Sequence, residues 1–84
     1  MARRMDAARA SRRAGHLREM IGRRLAAARI DEKLTQAELG RELNVSASTV
    51  TRWEAGGSCP DAAQLVTLSA IVGRPVHHLL GVEP

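Results

Sequence analysis

Four hydrogen-bonding side chains follow one another closely in the middle of the chain, at Ser48, Thr49, Thr51 and Arg52. Among them, Ala47, Val50 and Trp53 recur at three-residue spacing, which is the pattern of a helix with one apolar face. The polar face of that helix carries three hydroxyls of short reach and one guanidinium. Such a face can donate to and accept from the base edges of a nucleic acid, and an arginine is suited to guanine O6 and N7.

Two helix patterns joined by a tight turn must position this face. Thr35 and Glu38 have the spacing of a capping box, so the first helix is predicted to begin at Gln36. Asn44 follows the last apolar residue and tolerates the left-handed conformation that ends a helix. Ser46 then provides a second N-cap. A connection this short predicts two helices that cross steeply and touch near the turn.

This stretch resembles the helix-turn-helix of the lambda-repressor-like, or XRE-type, DNA-binding family, and the likeness covers most of the chain. In the family's order, the matching positions are Gln36, Leu39-Gly40, Asn44, Val45, Val50, Trp53 and Glu54-Ala55-Gly56. Three of them depart from the common pattern: Gly40 replaces Ala, Asn44 replaces the turn Gly, and Ala55 replaces Asn. The first two satisfy the same backbone requirements, and Gly40 is predicted to lie where the two helices touch.

The resemblance implies an all-α, compact five-helix lambda-repressor-like domain whose second motif helix lies in the major groove. The residues expected at base edges are Ala47, Ser48, Thr49 and Arg52. Those expected at phosphates are Gln36, Ser46, Thr51, Arg23, Arg24, Gly57 and Ser58. The surface left for a homodimer comprises Arg74, Val76, Leu79 and Leu80. Arg74 stands where the family often has a buried Val, so we expect it to face solvent or a partner subunit. The alternative for these residues is the core of the chain itself. Both roles are compatible if Leu79 faces inward while Leu80 faces the partner.

Further helices are predicted on either side of the motif. Apolar residues at three- and four-residue intervals predict a helix over 16–30, whose other face, including Arg29, is expected to be solvated. A loop rich in Gly, Ser and Pro follows the motif, and Pro60-Asp61 is expected in the first turn of a helix that reaches Val72. A last short helix is predicted from Pro75 to Gly81.

Positive charge is concentrated at the start of the chain. Residues 1–24 hold eight Arg and two acidic residues, 8 − 2 = +6, and residues 25–84 hold five cations and seven acidic residues, 5 − 7 = −2. Residues 1–15 have helix propensity but no apolar face, so we expect a basic, flexible arm that ends at Gly15, with the domain over 16–84.

Three interpretations of this arm remain open. It follows the DNA backbone or enters a narrow minor groove, it attracts phosphates without defined geometry, or it is a solvated tail. The residues expected on DNA under the first interpretation are Arg3, Arg4, Arg9, Arg12 and Arg13.

Length and composition exclude several other functions. A chain of 84 residues makes one domain with a modest core, and no nucleophile, paired carboxylate or glycine-rich phosphate loop indicates an enzyme. The single Cys59 fits a reducing cytoplasm. His77 and His78 are adjacent and cannot share a metal as residues four apart can, so no metal or cofactor is expected. No apolar run is long enough for a membrane span.

The expected function is sequence-specific binding of double-stranded DNA by a homodimer that acts as a transcriptional regulator, a repressor, on a pseudo-palindromic operator. The expected location is the cytoplasm of a bacterial or phage-infected bacterial cell. Alternatives with the same fold are a DNA-binding antitoxin with a toxin partner and a restriction-modification controller. An alternative of a different class is a helix-turn-helix module that binds only proteins. The slightly negative charge of residues 25–84 favours this alternative.

Overall fold

The computed structural model describes residues 6–82, and five α-helices account for most of that range. They are α1 (Ala7–Asp31), α2 (Gln36–Leu43), α3 (Ala47–Ala55), α4 (Ala62–Val72) and α5 (Val76–Leu80). Residues 6–82 contain no strand, in agreement with the predicted all-α, five-helix fold. Of these helices, none is both long and apolar enough to cross a bilayer.

The ends of α2 are fixed by the residues predicted to fix them. The Thr35 hydroxyl accepts from the Glu38 backbone N–H at 3.0 Å, and the Glu38 carboxylate accepts from the Thr35 backbone N–H at 2.9 Å. The bond from the Thr35 backbone N–H to the carboxylate is the larger cause that holds the pKa of Glu38 below its ordinary value, and the Thr35 hydroxyl beside the carboxylate is the second cause. Asn44 ends the helix with φ 57° and ψ 43°, in the left-handed region. The predicted bounds of α2 are confirmed.

The N-caps of α3 and α4 are also side-chain oxygens. Ser46 Oγ accepts from the Thr49 backbone N–H at 3.1 Å, as predicted. Asp61 Oδ1 accepts from the Gln64 backbone N–H at 2.7 Å, and Gln64 Oε1 accepts from the Asp61 backbone N–H at 2.9 Å. Asp61 therefore caps α4 from outside, where we had expected it inside the first turn.

The first helix is longer than predicted. It begins at Ala7, capped by Asp6 Oδ1, which accepts from the Arg9 backbone N–H at 2.8 Å, and it continues through Gly15 without a break. The expected helix start after Gly15 was wrong, because the flanking Ala and Arg residues are strong helix formers and one interior Gly costs only about 1 kcal/mol. Arg3 and Arg4 lie outside the described residues.

A single core unites the five helices. The core is aliphatic apart from one tryptophan, and each of its residues is at most 4% exposed. They are Leu25, Ala28, Leu39, Val50, Trp53, Leu68, Val72 and Leu79. Leu79 is fully buried, so its place in the expected dimer surface was wrong and the alternative of an inward-facing Leu79 is the one observed. Ala47 is exposed at the start of α3, and the buried face of that helix is Val50 and Trp53 alone.

Two glycines let backbones approach closely around this core. A Cβ on Gly40 would stand 2.7 Å from the Val45 carbonyl oxygen, which confirms that Gly40 lies where α2 meets the turn into α3. A Cβ on Gly22 would stand 2.4 Å from the Trp53 carbonyl oxygen and 2.8 Å from that of Glu54. Gly22 thus brings α1 against the C-terminal end of α3, an approach that the sequence pattern did not predict.

Alanine substitutions at two glycines of α1 are expected to have opposite effects. Gly22→Ala drives a methyl group into two backbone carbonyls, so the free energy of unfolding should fall by about 1–3 kcal/mol. Gly15→Ala has only the Arg18 guanidinium nearby, at 3.7 Å, and should raise it by up to about 1 kcal/mol through helix propensity. Urea unfolding followed by Trp53 fluorescence measures both. A stabilising Gly22→Ala would contradict the packing, and a destabilising Gly15→Ala would contradict a helix that continues through that position.

Candidate nucleic-acid interface

The face of α3 that was predicted to read bases is exposed. Ala47, Ser48 and Arg52 are exposed and Thr49 is half-buried, whereas Val50 and Trp53 point inward. This division follows from the period of 3.6 residues, which places the two buried residues on one side of the helix and the polar ones on the others. The core therefore fixes the rotation of α3 about its axis, and with it the direction of these side chains.

Hydroxyl groups cluster at the start of α3. Ser46 Oγ lies 3.0 Å from Thr49 Oγ1 and 3.4 Å from Ser48 Oγ, and Arg52 Nη2 lies 3.5 Å from Thr49 Oγ1. The last distance is at the limit of a hydrogen bond, so the guanidinium keeps most of its donors for other partners. The four side chains form one continuous polar surface with an arginine at one end.

An ion pair connects α1 to the C-terminal end of α3. Arg29 Nε donates to Glu54 Oε2 at 2.6 Å, and Arg29 Nη2 donates to Glu54 Oε1 at 3.0 Å. The side chains are 13% and 9% exposed, respectively. The Glu54 hydrogen bond raises the pKa of Arg29, against the opposing effect of desolvation. Arg29 was expected on a solvated face, and this prediction was wrong. Its third nitrogen, Nη1, donates to the Leu34 carbonyl oxygen at 2.7 Å.

Gln36, at the start of α2, joins this ion pair. Its Nε2 donates to Glu54 Oε1 at 2.9 Å, and its Oε1 accepts from Thr51 Oγ1 at 2.8 Å. The amide nitrogen retains a second N–H, and the backbone N–H groups of Gln36 and Ala37 are in the first turn of the helix, where there is no intrahelical acceptor. Gln36 therefore keeps donors for a phosphate while its side chain is held in place.

Thr51, also expected at a phosphate, is occupied within the chain. Its hydroxyl lies 2.8 Å from Gln36 Oε1 and 3.0 Å from the Ala47 carbonyl oxygen, both of which can only accept. The single hydroxyl proton serves one of these acceptors, and a phosphate needs a donor. Thr51 is thus better placed to orient Gln36 than to bind DNA itself.

The loop after α3 runs beside α1. Gly56 has φ 82° and ends α3, and a Cβ there would stand 2.9 Å from Glu19 Cγ. Gly57 is exposed and Ser58 is half-buried, so both expected phosphate contacts have some accessible surface. Partial desolvation raises the pKa of the neighbouring Cys59 thiol, with an opposing effect of Arg18. The thiol is therefore protonated near neutral pH and is not an activated nucleophile.

Arg24 is on a different side of α1 from the helix-turn-helix. Residues two apart are separated by about 200° around a helix, so Arg24 is on the side of α1 opposite Gly22, which packs on α3. Arg24 Nε lies 2.9 Å from where a Cβ on Gly81 would stand. Arg23 and Arg24 both line a groove whose other wall includes His78 of α5.

The residues expected at a dimer surface differ in their exposure and in their contacts within the chain. Arg74 pairs within the chain, with Nη2 at 3.1 Å from Asp31 Oδ2 and Nη1 at 3.9 Å from Glu32 Oε1. Its side chain is 32% exposed. Val76 and Leu80 are half-buried, and Leu79 is buried. Only Val76, Leu80 and part of Arg74 therefore present surface.

Comparison with known proteins gives the same architecture. A helix-turn-helix family model matches residues 25–79, which include α2 through most of α5. The chain belongs to the lambda-repressor-like, XRE-type helix-turn-helix family. A search of curated proteins found no match.

Two solved structures resemble this helix-turn-helix domain. The P22 c2 repressor, in complex with the synthetic operator 9T in the presence of Tl⁺, has a TM-score of 0.71 and 30% sequence identity. The match covers 76% of this chain and 97% of that one. The clp gene regulator ClgR from C. glutamicum has a TM-score of 0.69 and 28% identity, over 76% of this chain and 83% of that one. The fold is therefore that of helix-turn-helix transcription regulators.

Residues 6–82 hold no group of three or more His, Cys, Asp or Glu side chains arranged to bind a metal ion.

Removal of one partner of the Arg29–Glu54 pair is expected to destabilise the domain. Glu54→Gln leaves the Arg29 guanidinium without its counter-ion in a site that is only 13% exposed, so the free energy of unfolding should fall by on the order of 3 kcal/mol. Glu42→Gln, at an exposed position of α2, is the matched control and should leave it nearly unchanged.

The double variant Arg29→Met with Glu54→Met separates the effect of an unpaired charge from that of altered packing. It should recover much of the stability, because no charge is left unpaired. Urea unfolding measures all of the variants. If Glu54→Gln unfolds like Glu42→Gln, the pair does not support the interface.

Proposed function

We propose that this protein is a sequence-specific, double-stranded DNA-binding transcription regulator, a repressor, that places α3 in the major groove and acts as a homodimer in the bacterial cytoplasm. The observation that carries the proposal is the exposed polar face of α3, held in orientation by buried Val50 and Trp53. The likeness to a repressor solved with its synthetic operator supports the same mode of binding.

The N-terminal half of α3 is assigned to the bases. Ser48 and Thr49 present hydroxyls that can donate or accept, Ala47 can pack on a thymine methyl, and Arg52 can make a bidentate contact with guanine. All four are on the accessible part of the helix. Ser46 is assigned to a phosphate, since its hydroxyl is exposed at the N-cap.

The Arg29–Glu54–Gln36 network is assigned to positioning. Its bonds tie the ends of α1, α2 and α3 to one another. A phosphate bound by Gln36, through its amide and the N-terminal turn of α2, is therefore held at a fixed distance from the side chains on α3. Gly57 and Ser58 provide a second phosphate contact at the other end of α3.

The N-terminal arginines are assigned to the DNA backbone. Arg9, Arg12 and Arg13 are exposed on the first turns of α1, in a segment that has no core to cover. Because residues 25–84 have a net charge of 5 − 7 = −2, long-range attraction to DNA depends on this segment. We assign Arg3 and Arg4 to the same role.

A homodimer is proposed because one recognition helix reads few base pairs. The available surface is Val76, Leu80 and the accessible part of Arg74, at and beside α5. Two symmetric copies predict half-sites about 34 Å apart on a pseudo-palindromic operator. Toxin–antitoxin or restriction-modification regulation would use this same DNA-binding surface, whereas a module that binds only proteins would show no salt-sensitive binding to DNA.

Arg52→Ala is the sharpest test of the docking. This substitution should weaken binding to the preferred duplex by on the order of 1–3 kcal/mol and relax the preference at one base pair. The preferred duplex is first selected from a random pool, and affinity is then measured by DNA anisotropy at several salt concentrations. Arg41→Ala removes an exposed cation from the last turn of α2 and serves as the control. An unchanged base preference in Arg52→Ala would exclude this docking, and binding without any preference would exclude sequence-specific regulation.

The triple substitution Arg9→Gln, Arg12→Gln and Arg13→Gln tests the arm. Affinity should fall by a similar factor for preferred and scrambled duplexes, because phosphate contacts carry no sequence information. The slope of log affinity against log salt should become shallower by about 0.9 for each phosphate that is no longer neutralised. An unchanged slope would mean that these three arginines do not contact DNA phosphates and are only solvated.

A further inference from the structure

A groove separates α1 from α5 on the side of the domain away from α3. Its volume is about 350 Å³, which is at the small end of the range of about 300–1,000 Å³ for ligand pockets. Both helices contribute to its walls, with His78 supplied by α5. An occupant would therefore contact both helices.

The groove carries an excess of positive charge. Arg23 and Arg24 line it, and neither makes an ion pair within residues 6–82. The one carboxylate in the lining, Asp31, lies 3.1 Å from Arg74 Nη2 and is thus partly neutralised. His78 is exposed and adds a ring N–H that can donate to an anion.

The position of Arg24 is restricted by its neighbours. Gly81 has φ 72°, and a Cβ there would lie 2.9 Å from both Arg24 Nε and the Met20 side chain. The absence of a side chain on Gly81 thus leaves room for the Arg24 stem. Arg24 is half-buried, so part of its chain is ordered before anything binds, which reduces the entropy that binding must overcome.

The remainder of the lining is apolar. Met20, Ala27 and Ala28 provide it, and Ala28 is 2% exposed. A bare inorganic anion would satisfy the guanidinium groups but leave this apolar surface exposed to water. A neutral apolar molecule would cover the apolar surface but leave the guanidinium groups without a partner. Only a ligand with both parts complements the whole groove.

We infer that the α1–α5 groove binds a small organic anion, with its carboxylate between Arg24 and His78 and a short apolar chain over Met20 and Ala27. The inference requires no DNA, so its tests can fail without affecting the proposed DNA binding. It also reassigns Arg23 and Arg24 from DNA phosphates to this groove.

Three probes test the ligand chemistry separately. Hexanoate carries both parts, 1-hexanol lacks the charge, and inorganic phosphate lacks the apolar chain. In titrations of the ¹⁵N-labelled protein followed by NMR, hexanoate should shift amides of residues 20–31 and 76–82 and approach saturation. Hexanol and phosphate should bind more weakly. Equal binding of hexanoate and phosphate would overturn the inference, as would shifts located elsewhere.

Matched arginine substitutions test the location. Arg24→Gln should weaken hexanoate binding by about tenfold, the effect of removing a hydrogen bond between charged groups. Arg18→Gln removes the same charge from the same helix on the side near Cys59, and it should change the affinity less than about twofold, as for a screened distant charge. Thermal unfolding by circular dichroism verifies that both variants are folded.

A parallel decrease in affinity in both arginine variants would mean nonspecific attraction and would overturn the site. So would intermolecular NOEs from residues 20–31 in the ligand-free protein, which would show that a second copy covers the groove.

Discussion

The bidentate bond between Arg29 and Glu54 is the interaction on which the arrangement of the helix-turn-helix depends. It joins helices through residues that are 25 positions apart in sequence, and a third helix is attached to it through Gln36. Isolated ion pairs on a surface contribute little, but this one is largely withdrawn from water, so its geometry is restrictive. Its role is best understood as one of orientation. The same carboxylate that fixes α1 against α3 also fixes the amide at the start of α2, so Glu54 sets the positions of three helices relative to one another.

The sequence predicted the local structure of the motif well, and it did so where the cause is local. Thr35, Asn44 and Ser46 define helix ends through contacts within four residues, so their roles can be read from spacing alone. The small residue at Gly40 was also predictable, because a tight turn between two helices requires close approach. The fold class followed from the same motif.

Contacts between distant segments were not predictable in the same way. Arg29 has the sequence environment of a solvated helix face, and only the tertiary arrangement provides Glu54 as its partner. Leu79 could equally have been core or interface until the position of α5 was known. Arg74 pairs with Asp31, which is 43 residues away in sequence. A periodic pattern within one helix cannot predict such a contact. The buried Gly22 did carry a signal, since a glycine inside a helix with good periodicity has a cost that close packing can offset.

The length of α1 has a consequence for the cooperativity of the domain. At 25 residues the helix is about 37 Å long, yet its buried residues begin only at Ile21. An isolated helix as short as the exposed part would be marginal in water, because the first turn is costly to nucleate. Here the packed part of α1 supplies that nucleus, and the exposed turns need only propagate from it. Their hydrogen bonds should therefore open from the Asp6 end independently of global unfolding, so that amide exchange slows progressively towards Ile21. The turns that carry Arg9, Arg12 and Arg13 are therefore helical because the packed part of α1 is helical, although they make no contact with the core themselves.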